Sequence, residues 1–179
     1  MKKKLLLHCC CGPCSSGVIE GLLQNYDITL YFYNPNIYPK DEYIKRYQEQ
    51  LRYAGIVGLP VVEGEYDTSI FYQAVKGYED EPEGGARCYE CFKLRMLQTA
   101  KYAKDKGFDI FTTTMSVSPY KNYEVLNEIG KDVSDQVGID YLWANFKKNN
   151  GYLKSIQNSK KYNLYRQHYC GCVYSLNKK

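Results

Sequence analysis

Short apolar runs alternate with amphipathic stretches along this chain. Lys4–Cys9 is an apolar run of strand length that ends among cysteines. Asp27–Tyr33 alternates Ile28, Leu30 and Phe32 with Thr29 and Tyr31, and predicts a second strand. Leu59–Glu63, Asp109–Thr113 and Asp140–Trp143 predict three more. Between them, Ser15 or Ser16 can cap a helix carrying Val18, Ile19, Leu22 and Leu23. Pro39 and Asp41 open a helix with Tyr43, Ile44, Tyr47 and Leu51 that ends near Gly55. Thr68–Val75 reads as a short helix and Asn122–Val137 as a longer one. Cys88–Lys106 sets Leu94, Leu97 and Ala100 on one helical face, with Gly107 just past its end. Gly77–Ala86 is acidic and turn-rich, hence a loop. Asn149–Asn163 is polar and reads as irregular or weakly helical.

This alternation predicts an α/β fold, a mostly parallel sheet with helices on both faces. The 179 residues suit a single domain, 1–179, with its own core. Ligands in such folds bind at the carboxyl ends of the strands. The turns Cys9–Cys14, Asn34-Pro35-Asn36 and Thr112–Ser118 should therefore share one rim.

Charge adds an asymmetry. The net charge is +4, yet no acidic residue follows Asp140, and the last 39 residues carry eight cations. These are Lys147, Lys148, Lys154, Lys160, Lys161, Arg166, Lys178 and Lys179. The same segment, 141–179, holds Tyr152, Tyr162, Tyr165, Tyr169 and Tyr174. Cations interleaved with aromatics suit a phosphate backbone with stacked bases. A solvated basic segment packing its tyrosines on the domain is the other reading. No apolar run approaches the ~20 residues of a membrane span. The start, Met1-Lys-Lys-Lys-Leu-Leu-Leu, has too short an apolar stretch for a signal peptide and leads into the first strand. A cytoplasmic chain without a membrane partner is expected. Structural disulfides are uncommon there, so clustered cysteines point to metal or redox chemistry.

Seven of the eight cysteines form three groups: Cys10, Cys11 and Cys14; Cys88 and Cys91; Cys170 and Cys172; Cys9 abuts the first. Thiolates select soft metals and iron–sulfur clusters, and also exchange electrons as dithiol pairs. Cys11-Gly12-Pro13-Cys14, between a strand and a helix, has the setting of a thioredoxin-type motif. That reading leaves the other cysteines unexplained. Cys88-x-x-Cys91 opens a helix, and with Cys10 and Cys11 supplies four thiolates. Four is the complement of a [4Fe–4S] cluster or of a closed zinc site. A disulfide across Gly171 would be strained and labile, so Cys170 and Cys172 suit a redox pair or ligands of a second metal. Cys14 remains available to that chemistry.

Softer candidates have plain alternatives. Arg87 could offset thiolate charge or be solvated. His8 could donate a proton or be a core histidine, and His168 could meet phosphate or donate a proton. Asp67 and Glu42 follow strand ends and could touch a ligand. Neither a phosphate-loop nor a dinucleotide-binding glycine pattern occurs, so no ATP or NAD site is expected.

Five motifs in one order resemble the QueH-type epoxyqueuosine reductases. They are His8-x-Cys10-Cys11-Gly12-Pro13-Cys14-Ser15, Tyr33-Asn34-Pro35-Asn36-Ile37-x-Pro39, Gly85-x-Arg87-Cys88-x-x-Cys91, Phe111-Thr112-Thr113-Thr114-x-x-x-Ser118-Pro119-Tyr120 and Tyr165-Arg166-Gln167-x-Tyr169-Cys170-Gly171-Cys172. The likeness runs from Lys4 to about Ser175. One departure is Asn145-Phe146-Lys147, where the family pattern has Asp-Phe-Arg. The resemblance implies a fold like the adenine nucleotide alpha-hydrolase (HUP) group, its nucleotide loop replaced by the cysteine loop. It also implies the last step of queuosine synthesis, reduction of the epoxide of epoxyqueuosine at the tRNA wobble position. Cobalamin is not used. An iron–sulfur cluster, a [4Fe–4S] cluster by thiolate count, is implied, with an adjacent mononuclear iron or other metal. The implied partners are that tRNA and an electron donor, protein or small reductant. On this resemblance Cys10, Cys11, Cys88 and Cys91 are expected to hold the cluster, Cys170 and Cys172 to cycle as the redox pair, and Cys14 to bind the second metal. The basic segment would hold the anticodon arm. The rivals are a structural-zinc module that binds tRNA or protein, and a metal-free thioredoxin-like thiol oxidoreductase.

Overall fold

The computed structural model describes residues 1–146 and 150–177. Lys147, Lys148, Asn149, Lys178 and Lys179 lie outside the described residues. Five strands, β1 (Lys3–His8), β2 (Tyr26–Phe32), β3 (Val61–Glu63), β4 (Ile110–Thr113) and β5 (Asp140–Tyr141), form one sheet. Their order is β3-β2-β1-β4-β5 and every pairing is parallel. This is the expected α/β architecture. The central strand shows why its sequence is a continuous apolar run. Leu5 and Leu7 face one core with Ile28, Leu30 and Tyr53. Leu6 faces the other with Phe92, Met96, Phe111 and Leu126. All three leucines are fully buried, which stabilises by roughly 1.5–3 kcal/mol each. Helix α3 (Lys40–Val57) helps cover the first face; α5 (Ala86–Asp105) and α6 (Tyr123–Val137) cover the second.

The first helix is not capped by Ser15 or Ser16. It is two short pieces, α1 (Gly12–Ser16) and α2 (Ile19–Leu23), and α1 starts after Cys11 with Pro13 in its first turn. The two serine hydroxyls turn backwards instead, Ser15 donating to the Cys11 carbonyl (2.8 Å) and Ser16 to that of Pro13 (2.7 Å). Helix α3 runs past Gly55 to Val57 and closes on Gly58 in the left-handed region (φ 72°). The last strand keeps only Asp140 and Tyr141 of its expected four residues. Asp67 caps α4 (Thr68–Ala74) by accepting from the Ser69 amide at 3.0 Å.

The polar segment after Asn149 contains a regular helix, α7 (Gly151–Lys161). Its buried positions are Gly151, Ser155 and Ser159, a stripe of small residues at i, i+4 and i+8. That stripe packs on α1 so closely that a Cβ at Gly17 would lie 2.3 Å from the Gly151 carbonyl oxygen. Apolar periodicity cannot reveal a helix whose buried face is glycine and serine. A last turn, α8 (Val173–Leu176), follows Cys172. Among the described residues, no helix is long and apolar enough to cross a membrane.

Candidate metal centre

The carboxyl ends of β1 and β4 open on one basin of about 1310 Å³, and Asn36 of the turn after β2 borders a small cavity beside it. Cys10, Cys14, Cys88 and Cys170 line it, with Arg95, Lys121, Arg166 and His168. The cysteines form two nests on this basin.

The first nest is Cys10, Cys11 and Cys14, whose sulfurs lie within 4.8 Å of one another. The chain leaves β1 and turns at once into α1, so three thiols of one five-residue stretch converge. The β1–β2 ladder continues past the strand end, with the Cys9 amide donating to the Tyr31 carbonyl at 2.9 Å. The Cys10 thiol is held well below its ordinary pKa because Cys11 and Cys14 donate hydrogen bonds to it; Lys121 and Arg95 add positive field. Its donors move the other way, Cys11 up to about 12 and Cys14 well above the usual range. The Gln167 amide donates to the Cys11 sulfur at 3.2 Å. Cys9 is separate: it points into the opposite core, donates to the Leu7 carbonyl at 3.4 Å, and is an inert packed thiol.

The second nest joins Cys88 and Cys91, in the first turns of α5, to Cys170 and Cys172 from the C-terminal strap. Burial pushes the Cys91 thiol up to about 11 despite the opposing pull of Arg95, with Cys170, Cys172 and Cys88 as its acidic neighbours. Burial likewise raises Cys172. The Gly84 amide donates to the Cys88 sulfur at 3.2 Å. All eight cysteines are free thiols. Arg46 holds the strap in place. It is fully buried, pairs with Glu42 (2.8 Å), and donates to the carbonyls of Cys170 and Tyr169, both at 2.9 Å. Gly171 adopts φ +138°, and a Cβ there would stand 3.0 Å from the Arg46 Nη1.

Several candidates read from sequence have other duties. His8 is fully buried and does not line the basin. Its Nε2 donates to the Tyr33 carbonyl (2.9 Å) and its Nδ1 accepts from the Thr113 hydroxyl (3.0 Å), tying three strand ends together. Burial lowers its pKa to about 4, with Arg95 adding to the shift, so it is a neutral connector. Arg87 is buried, stacks over Tyr174 and donates to the carbonyls of Glu79 and Glu81, so it braces a loop. Glu42 serves Arg46 and the Tyr165 hydroxyl, and Asp67 serves its own helix. His168 is exposed on the basin wall. Of the C-terminal tyrosines, Tyr162 packs on Tyr53, and the Tyr165 and Tyr169 hydroxyls bond to Glu42 and the Tyr38 carbonyl. Tyr174 lies by Phe71, and of the five only Tyr152 and Tyr169 reach the basin, so the packing alternative holds for most of the set. Aromatics outside the segment, Tyr89 and the 90 % exposed Tyr120, join Tyr152 at the basin. In the departing triplet Phe146 is core, and Lys147 lies outside the described residues.

Sequence reading missed Arg46, Arg95 and Lys121. Arg95 had a signal, because four residues after Cys91 is one helical turn on the same face. The cation that borders both nests is therefore Arg95, while Arg87 borders only the second.

The pattern for epoxyqueuosine reductase QueH matches residues 5–178. The chain belongs to the QueH family. It is 42 % identical to epoxyqueuosine reductase QueH of Staphylococcus epidermidis, across 97 % of this chain and 76 % of the relative. Identity to the Acinetobacter baylyi QueH is 43 %, across 97 % and 80 %. Identity to the Thermotoga maritima QueH is 38 %, across 96 % and 90 %. A solved structure of a predicted subunit of tRNA methyltransferase from Methanocaldococcus jannaschii superposes with TM-score 0.56 at 16 % identity. It covers 87 % of this chain and 76 % of its own, a likeness of fold alone. This QueH member thus carries one cysteine group at the end of a parallel strand, a second at the start of α5 and a third on the C-terminal strap.

Proposed function

We propose that this chain reduces the epoxide of epoxyqueuosine in tRNA to the alkene of queuosine, acting in the cytoplasm as one domain, 1–179. Family membership supports the activity, and the observation that carries the chemistry is two thiol nests opening on one cation-lined basin. The reaction breaks both epoxide C–O bonds, forms one C=C π bond and releases the oxygen as water. It consumes two electrons and two protons, the electrons coming from an external reductant.

The donor set fits an iron–sulfur cluster with an adjacent metal ion. It consists of soft thiols, three of them mutually within 4.8 Å, beside buried Arg95. When bound, such a group supplies single electrons and Lewis acidity. The chain's own residues do the rest. Lys121 and Arg95 offset thiolate charge. His168 and Arg166, on the basin wall, suit the phosphates that flank the modified nucleoside, while Tyr120 and Tyr152 offer faces for base stacking. Lys154, Lys160 and Lys161 are exposed on α7 and extend the positive surface toward the anticodon arm.

Two partitions of the thiols compete. The motif-based one gives the cluster to Cys10, Cys11, Cys88 and Cys91, a second metal to Cys14, and the redox cycle to Cys170 and Cys172. A second is favoured by the electrostatic neighbours of Cys91, which are Cys170, Cys172 and Cys88. It gives the cluster to those four and the second metal to Cys10, Cys11 and Cys14. The deciding experiment purifies the protein anaerobically, counts iron, sulfide and zinc, and assays epoxyqueuosine-containing tRNA with a chemical reductant. Iron with matching sulfide and conversion to queuosine is expected. Stoichiometric zinc without sulfide or turnover would sink the proposal in favour of a structural-zinc module. Cys170→Ser then separates the partitions. Retained iron without turnover supports the redox pair, and lost iron makes Cys170 a ligand.

A further inference from the structure

Arg95 is the most enclosed cation of the site and the least satisfied. It is 2 % exposed, and its guanidinium borders both the basin and the small cavity enclosed by Cys88, Cys91, Cys170 and Cys172. Its Nη1 donates to the Asn34 side-chain oxygen at 3.3 Å. Among the described residues, Nε and Nη2 meet no acceptor and no carboxylate forms an ion pair with it. A buried guanidinium with no carboxylate partner and most of its N–H groups unmatched by oxygen acceptors costs several kcal/mol. Folding retains such a group only if something anionic completes it. The acidic groups that act on it are Cys91, Cys170 and Cys10, members of both nests.

Its orientation is fixed from two sides. Helix α5 carries it one turn below Cys91. Asn34, which accepts from it, also donates to the Cys9 carbonyl at 2.9 Å and so ties it to the turn that carries Cys10. A cation held this rigidly between two thiol groups acts on the electron affinity of whatever they hold. Reduction adds negative charge, and a fixed cation with N–H groups aimed at sulfur stabilises the reduced form. Lys121, on a long flexible stem, is a poorer device for this than a planar fork.

We propose that Arg95 is the positioning residue that raises the reduction potential of the thiolate-held centre, by directing its free Nε–H and Nη2–H at the sulfur ligands. This rests on the metal reading above. The step involved is transfer of one electron from the external reductant to the centre, without bond making by Arg95 itself.

The test is a redox titration, followed by EPR, of anaerobically purified wild type, Arg95→Gln and Arg95→Lys. Iron, sulfide and thermal unfolding are measured on each. Arg95→Gln should load and become harder to reduce by at least a factor of about ten in the one-electron equilibrium, a shift of about 59 mV to more negative potential. Arg95→Lys should recover part of it. A loaded Arg95→Gln protein with the wild-type potential overturns the inference and leaves the proposed activity standing. A wild type without a reducible centre overturns the metal reading instead. Should Arg95→Gln fail to load, Asn34→Ala carries the test with the charge retained. A displaced potential there supports the inference, and an unchanged one overturns it.

Discussion

The two thiol nests share a basin but are built in opposite ways. Cys10, Cys11 and Cys14 come from one turn, and the strand beneath that turn is paired on both sides. Their convergence is a local consequence of a strand running into a helix that starts at Gly12. Cys88 and Cys91 meet Cys170 and Cys172 only because the C-terminal strap returns across the molecule, and a buried arginine grips its carbonyls. The first nest is as stable as the sheet. The second is as stable as the strap's separate hydrogen bonds to Arg46, Tyr38, Glu49 and Cys11 allow. A redox site assembled this way combines a rigid half with a half that tertiary contacts alone hold in place.

Arg46→Met should break that comparison most strongly. It strands Glu42 and the carbonyls of Tyr169 and Cys170, at a cost of about 3–5 kcal/mol. Thermal unfolding should fall accordingly. In the metal-free protein, Cys170 and Cys172 should alkylate faster while Cys10, Cys11 and Cys14 keep their rates. Equal acceleration of all of them would show that the nests are not independent. Gly171→Ala should act in the same direction with about 1–3 kcal/mol, through a disallowed φ and the crowding of Arg46.

Ser15→Ala tests the other half. Its hydroxyl donates to the Cys11 carbonyl and contacts the Gln50 side-chain oxygen at 3.0 Å. Loss of about 1 kcal/mol is expected, with faster alkylation confined to Cys10, Cys11 and Cys14. The smallest effect belongs to Glu49, which pairs with Arg52 at the surface and accepts from the Tyr165 amide at the start of the strap. The Arg52 hydrogen bonds, with help from that amide, hold its pKa below the ordinary glutamate value. Its stabilising contribution is therefore present above about pH 4.3 and lost as pH falls through the lower folded value. Glu49→Gln should cost under about 1 kcal/mol near pH 7, and the difference from wild type in urea melts should close in acid.

Strands and most helices were legible because a strand buried on both faces must be an apolar run, and apolar stripes repeat at helical spacing. Helix α7 was not, since its buried face is Gly151, Ser155 and Ser159 and close backbone approach replaces apolar burial. The C-terminal tyrosines were ambiguous for a related reason. Composition cannot tell a ring offered to solvent, such as Tyr120, from rings hydrogen-bonded into the domain, such as Tyr165 and Tyr169.

The sequence by itself determined the alternation of elements, the sheet class, the placing of Cys10 to Cys14 at a strand end, and family membership through ordered motifs. These follow from periodicity and short-range spacing, which a linear string carries. Tertiary structure alone decided that Cys9 and His8 are packed connectors, that Arg87 braces a loop, and that Cys170 and Cys172 stand beside Cys88 and Cys91. It also decided that the buried cation bordering both nests is Arg95. The physical reason is that charge pairing and burial are properties of neighbours in space, and these neighbours lie far apart along the chain, 123 and 124 residues for the Arg46 bonds to Tyr169 and Cys170 and 156 for Gln167 and Cys11.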